Sequence, residues 1–171
     1  MIDAKDFRRY IQAHPLVPER VRRRALISLG VNLDNSSIVF PGLRVTGDAP
    51  IEIGSQTFVN EQCVFDAAAA ITIGQRVSLG NRVMLLTSNH DYHDPRQRGG
   101  PRIMKPIFIE DGAWICAGVT ILSGVRIGKG CVVAAGSVVI SDCTPHGLYG
   151  GIPAARLRDL PTSDQVSSVV S

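Results

Sequence analysis

From Ile109 onward the chain repeats every six residues, reading IEDGAW, ICAGVT, ILSGVR, IGKGCV, VAAGSV and VISDCT. Ile or Val opens each hexapeptide, at 109, 115, 121, 127, 133 and 139, and Gly112, Gly118, Gly124, Gly130, Gly136 and then Asp142 follow three residues later. One position further stands a small or β-branched residue: Ala113, Val119, Val125, Cys131, Ser137 and Cys143. A period of six matches neither the 3.6-residue turn of a helix nor the simple alternation of an uninterrupted strand. It matches a short strand followed by a bend, where Gly, or Asp at one site, supplies backbone freedom that β-branched residues lack. Such a chain winds into a solenoid whose first-position aliphatics point inward and stack on their equivalents one coil away.

The earlier half repeats in a larger frame. Leu33, Val39 and Val45 are spaced by six, as are Ile53, Val59 and Phe65, and then Ile73, Leu79 and Leu85. A step of eight separates the triplets, giving a 20-residue coil whose lengthened corner is marked by IEIG at 51–54 and ITIG at 71–74. After an interruption the coil shortens to 18, with Ile107-Phe108-Ile109 matching Val125-Arg126-Ile127. The expected fold is an all-β solenoid of about five triangular coils over residues 31–160. Residues 1–30 form a helical lead, which Pro15 and Pro18 divide into two pieces, the second opening at Pro18-Glu19. Residues 144–160 leave the repeat, and the polar stretch 161–171 is expected to fray.

Composition agrees with a β core of small branched aliphatics. Val and Ile number 34 of 171 residues against nine aromatics. The net charge of +3 is unevenly placed: residues 1–24 carry +4, so the rest of the chain sums to −1. The coils therefore lack the basic face interleaved with stacking aromatics that nucleic acid requires. The arginines at 20, 22, 23 and 24 read as the solvated face of a helix. The longest apolar run, Cys131 to Ile140, is half of the roughly 20 residues a membrane span needs. Four cysteines without C-x-x-C pairing, and an N-terminus without a signal-peptide core, lead to the expectation of a reduced, cytoplasmic protein.

Candidate chemistry sits in the interruption. A turn ends at Thr87-Ser88-Asn89-His90, and residues 91–102, DYHDPRQRGGPR, contain no aliphatic side chain. This loop cannot continue the core, and the repeat is expected to resume at Ile103. A polar excursion from a rigid scaffold is where function is usually displayed. His90 and His93 at its start are candidate bases, since imidazole titrates near neutral pH. A metal would need a third ligand, and His14 and His146 lie in the helical lead and the C-terminal exit. Cys63, Cys131 and Cys143 occupy small-residue positions of the repeat and read as core filler, and Cys116 sits in mid-turn.

The repeat, the T-S-N-H loop entry, the segment Pro106-Ile107-Phe108-Ile109-Glu110-Asp111-Gly112-Ala113-Trp114-Ile115 and the exit Gly151-Ile152-Pro153-Ala154-Ala155 resemble the hexapeptide-repeat acyltransferases. Within them the chain is most similar to the maltose, galactoside and nodulation-sugar O-acetyltransferases, over roughly residues 30–160. The resemblance implies a left-handed parallel β-helix, a homotrimer with active sites between subunits, acetyl-CoA as donor and a hydroxyl, usually on a sugar, as acceptor. No metal is called for. Counted from Ile73-Gly74, the family's catalytic histidine falls on His90, and His93 fits no such place. Asn60 matches a family asparagine that contacts the acceptor. The acidic residue expected shortly after it is displaced to Asp66, ahead of four alanines, and Tyr92 lies in the catalytic loop. Trp114 and the backbone amides of Ala117 and Ala135 fall where the family approaches the coenzyme, while the basic residue expected after Pro153 is replaced by Ala155, with Arg156 and Arg158 beyond it as the candidates for contact with the coenzyme phosphates. The group that orients His90 is left open between Asp91, Asp94 and a backbone carbonyl. Other readings of this fold are an antibiotic acetyltransferase, a γ-class carbonic anhydrase with zinc on three histidines, and a non-catalytic β-helical subunit.

Overall fold

The computed structural model describes residues 3–162, apart from the side chains of Lys5, Asp6 and Gln12. Most of the expected tail, 163–171, lies outside the described residues. Two helices lead, α1 (Ala4–Ala13) and α2 (Glu19–Ser28). Pro18 opens α2, where its missing N–H costs nothing and its carbonyl accepts from the amides of Val21 and Arg22. Ala25 and Leu26 are the buried residues of α2. The arginine cluster is not the wholly solvated face expected: Arg22 and Arg23 are half-buried. Arg23 donates to the carbonyls of Leu33 (2.8 Å) and Asp34 (2.7 Å), tying α2 to the first coil. Among the described residues, no helix is long and apolar enough to cross a membrane.

The rest winds as a left-handed parallel β-helix. The first coil is β1 (Val31–Leu33), β2 (Ile38–Val39) and β3 (Arg44–Gly47), and the second β4 (Ile51–Ile53), β5 (Phe58–Val59) and β6 (Val64–Ala67). The third is β7 (Ile71–Ile73), β8 (Ser78–Leu79) and β9 (Met84–Leu86), after which β10 (Ser88–His90) and β11 (Arg102–Met104) project from the solenoid. The fourth coil follows as β12 (Ile107–Ile109), β13 (Trp114–Ile115) and β14 (Thr120–Ile121), and the fifth as β15 (Arg126–Ile127), β16 (Val132–Val133) and β17 (Val138–Val139). Corresponding strands stack into three parallel sheets: sheet A from β1 to β15, sheet B from β2 to β16 and sheet C from β3 to β17. Registers pair Ile53 with Ile73 at a separation of 20 and Ile109 with Ile127 at 18, as the periodicity requires.

A partial sixth coil is present where the repeat was expected to end. Cys143 bridges to Ile127, β18 (Gly147–Gly151) adds to sheet B beside β16, and β19 (Ala154–Asp159) folds back antiparallel on it. The reason this coil escapes the hexapeptide pattern is Tyr149. It pairs with Val133 in an inward position that earlier coils fill with an aliphatic, and its hydroxyl is hydrogen-bonded to the Thr144 backbone amide at 2.8 Å.

Both aliphatic and small-residue positions are buried throughout, so each corner contributes an inward side chain besides those of the strands. Where that corner residue is polar it satisfies a carbonyl locally, as Thr57 does with Gly74 (2.7 Å) and Ser137 with Ala134 (2.7 Å). Phe65, the largest fully buried side chain, stacks between Val45 and Leu85 along sheet C. Phe65→Ala should therefore cost about 3–5 kcal/mol, read as a lowered urea midpoint at unchanged m-value.

Glycine at the bend is half of the story. Gly112, Gly118, Gly130 and Gly136 take positive φ, but so do Gln56, Gln62, Arg76 and Arg82 at the equivalent corners of the earlier coils. These side chains occupy the left-handed region without glycine's freedom. That is why the first half carries the same turns under a fainter sequence repeat.

Candidate active site

The excursion after β9 has a rigid neck. Thr87 is fully buried, its hydroxyl donates to the Asp66 carbonyl (2.6 Å), and its own carbonyl receives the Lys105 amide (3.0 Å) and the Ser123 hydroxyl (2.8 Å). Beyond it β10 and β11 pair antiparallel, Ser88 with Met104, Asn89 with Ile103 and His90 with Arg102. Two boundaries therefore differ from the expectation. Arg102 belongs to a strand, and Ile103 is 41% exposed on this ribbon, so the solenoid resumes at Ile107, where Ile71 becomes the partner. Alternation places Asn89 and Ile103 on one face and Ser88, His90, Arg102 and Met104 on the other.

His90 stands at the end of β10, exposed, with its amide bonded to the Asn89 side chain (2.8 Å). Its Nδ1 lies 2.7 Å from the Gly100 carbonyl. A carbonyl only accepts, so Nδ1 is the donor, and the neutral ring is the tautomer whose lone pair lies on Nε2. Of the three groups that the sequence left open, the backbone carbonyl holds the ring. Gly100 is itself fixed by its N–H donating to the Asp91 carbonyl (2.8 Å), and a Cβ at this position would come within 2.8 Å of that same oxygen. Only glycine fits there. The sequence places Gly100 in a loop without aliphatic side chains, but no residue type announces that its carbonyl orients a base.

The flanking acids are engaged elsewhere. Asp91 bonds the His93 amide (2.9 Å) and the His93 ring, which hold its carboxyl below the usual range, and Asp94 is held low by Arg96. His93 is stacked on Tyr92, and its side chain is 80% exposed. Asp66, in β6, accepts from the Ser88 hydroxyl and from Thr46 (3.4 Å), which places its carboxylate beside the strand that carries His90. Neither Ser88 nor its link to Asp66 was read from the sequence.

A second group of residues lies at the corner between sheets B and C. Asn60 accepts from the Glu61 amide (2.8 Å) and from Asn81 Nδ2 (3.3 Å). Asn81 and Ala117 line one cleft at this corner, where the Gly118 amide donates to the Asn81 carbonyl and the Gly136 amide to the Ala117 carbonyl. Ala117 and Ala135 are thus stacked one coil apart and exposed, and neither donates its N–H to another described residue. Trp114, 55% exposed, stands on the outer face of sheet B between Ser78 and Val132.

Within one chain the two groups do not meet. His90, Asp66 and Tyr92 lie toward the corner between sheets C and A, while Asn60, Ala117 and Ala135 lie at the corner between B and C. The outer surface of sheet C between them carries Val64, Met84, Thr120 and Val138.

Two further expectations fare differently. The Arg156 guanidinium is held within its own hairpin by the Thr144 hydroxyl (2.5 Å), Tyr149 (2.9 Å), Pro145 (3.2 Å) and Asp159 (2.9 Å). Its donors knit β19 to the last coil and are not free for a phosphate. Arg158 is exposed on β19 with no partner among the described residues. The buried cysteines are inert filler: burial pushes the Cys63 thiol up to about 11 and the Cys143 thiol up to about 12. Among the described residues no three His, Cys, Asp or Glu side chains gather to hold a metal ion.

A bacterial transferase hexapeptide model of six repeats matches residues 106–141. A Schizosaccharomyces pombe protein provisionally named an acetyltransferase is 37% identical over 145 residues, covering 83% of this chain and 70% of its own length. The crystal structure of a hexapeptide-repeat acetyltransferase from Vibrio cholerae, complexed with acetyl coenzyme A, is 36% identical with a TM-score of 0.84, over 92% of this chain and 86% of that one. A galactoside acetyltransferase in complex with coenzyme A is 26% identical with a TM-score of 0.82, over 94% and 80% of the two chains. With the repeat, the three-sheet prism and these likenesses in agreement, the chain belongs to the hexapeptide-repeat acetyltransferases.

Proposed function

We propose that the protein is an O-acetyltransferase that uses acetyl-CoA to acetylate a hydroxyl of a saccharide, with His90 as general base. The observation that carries this reading is the contact of His90 Nδ1 with the Gly100 carbonyl, which in the neutral ring selects the tautomer with its lone pair on Nε2, at the rim of the excursion. Acetyl-CoA supplies the acetyl group as an activated thioester. The stacked, unpartnered amides of Ala117 and Ala135 and the exposed indole of Trp114 suit a long, flexible, amide-bearing ligand, and Arg158 is the cation available for its phosphates. Nε2 of His90 takes the proton from the acceptor hydroxyl as the oxygen attacks, and later returns it to the departing thiolate. The Ala117 N–H donates to the carbonyl oxygen as negative charge develops on it. Asn60, Asp66 and Tyr92 offer the hydrogen-bonding groups that a polyhydroxyl acceptor needs.

The site is completed by a neighbouring copy. The base and the amides occupy opposite edges of sheet C, whose outer surface between them is uncharged from the second coil to the fifth, with Arg44 on the first, so the base edge of one copy faces the amide edge of the next. Such a head-to-tail contact closes into a ring, here a homotrimer. A thiol-release assay tests the function: acetyl-CoA is expected to yield free coenzyme A only when a saccharide is supplied, with an acetyl ester on the sugar by mass spectrometry. Release without ester, or none with any saccharide, contradicts it.

A further inference from the structure

The cations around His90 are unevenly paired. Of the cations on the excursion, Arg96 is paired with Asp94 (2.9 Å), whereas the Arg102 guanidinium has no hydrogen-bond or ion-pair partner among the described residues. Arg98 bonds only the backbone carbonyl of Tyr92 (2.7 Å) and, weakly, that of His93. The two acids of the loop are both engaged, Asp91 by His93 and Asp94 by Arg96, and the nearby Asp66 is satisfied by the hydroxyls of Ser88 and Thr46. Arg102 is the direct cross-strand partner of His90. Directly opposed residues on an antiparallel ribbon share a face, with Cβ atoms about 4.5–5.5 Å apart. A planar guanidinium therefore projects beside the imidazole that takes the proton, and a second cation stands on the adjoining turn.

We propose that the acceptor is an anionic saccharide, whose carboxylate or phosphate is gripped by Arg102 next to the hydroxyl that His90 deprotonates. This rests on the saccharide reading above and names its class. A guanidinium presents paired donors in a fixed fork that matches the oxygens of either anion, whereas a neutral sugar leaves that charge without a counterpart. Arg102 thus sets specificity and holds the acceptor by a group adjacent to the reacting one.

The test compares matched acceptors at fixed acetyl-CoA: glucose with glucuronate, galactose with galacturonate, and glucose 6-phosphate and N-acetylneuraminate as the phosphate and second carboxylate arms. The anionic member is expected to be preferred in kcat/KM by about 10- to 100-fold, the scale of a charged hydrogen bond, and added salt should shrink the preference. Arg102→Gln should reduce that ratio to near one, through loss of kcat/KM on the anionic member of each pair. Arg76→Gln removes an exposed cation at a distant corner, where Gln56 already adopts the same backbone, and should leave the ratio unchanged. Phosphate preferred over carboxylate, or the reverse, identifies which anion the site takes. Equal rates on neutral and anionic partners, a ratio unchanged in Arg102→Gln, or a variant that dissociates into single chains would overturn the proposal. Failure of every saccharide while acetyl-CoA still raises the melting temperature would instead overturn the saccharide reading.

Discussion

His90→Ala should lower kcat for acetyl transfer by about 10²–10⁴-fold, the usual contribution of a positioned general base. The reason is local. The Gly100 carbonyl fixes the Nδ1–H tautomer, so the ring presents a lone pair at Nε2 without any carboxylate to assist it. Binding of acetyl-CoA should be retained, because the groups assigned to the coenzyme lie on sheet B and at its corner with sheet C, away from the edge that carries His90. His93→Ala is the internal control. Its ring is largely in solvent and touches only Asp91 and Tyr92. The change should therefore stay within about twofold, the scale of a surface substitution. Equal losses at the two positions would show that the wrong histidine has been assigned the proton.

Ala117→Pro should lower kcat by about 10²–10³-fold with the fold intact, as expected for removal of one donor to a developing oxyanion. Proline deletes the N–H and keeps the carbonyl that accepts from the Gly136 amide. The chain itself supplies the precedent: Pro41-Gly42 occupies the first coil where Ala117-Gly118 occupies the fourth, and both second residues have positive φ. The amides of the following coils, Gln62 and Gly136, bond the carbonyls of Pro41 and Ala117 in the same way. An unchanged unfolding midpoint with near-complete loss of turnover would separate a chemical role from a structural one. Retained turnover would remove the Ala117 amide from the mechanism.

The fold was unusually legible because its repeat is short and each inward position accepts only a narrow set of side chains. Ile109, Ile115, Ile121 and Ile127 could be placed on an inner face from spacing alone, and all four are buried. Legibility failed where a different side chain meets the same geometric demand. Tyr149 closes a partial sixth coil in place of an aliphatic, and Arg76 and Arg82 turn corners that glycine turns elsewhere. The base could be read from a histidine at the loop entry. Its orienting partner could not, because a carbonyl belongs to every residue and only the close approach of Gly100 to Asp91 selects this one. At Arg156 the sequence is silent about the local partners. A basic residue after the Gly151-Ile152-Pro153 exit suggests an anion site, yet the carbonyls of Thr144 and Pro145 and the hydroxyl of Tyr149 converge on its guanidinium.

The central claim, that His90 of one copy works with the Ala117 amide of another, is tested most directly by mixing the two inactive variants. Copies carrying His90→Ala and copies carrying Ala117→Pro, refolded or expressed together, form mixed assemblies in which some interfaces unite an intact base edge with an intact amide edge. The mixture is expected to recover turnover that neither variant shows alone, at a fraction of the parental rate set by how often such interfaces arise. A mixed assembly that remains as inactive as its parents would contradict a site shared between copies.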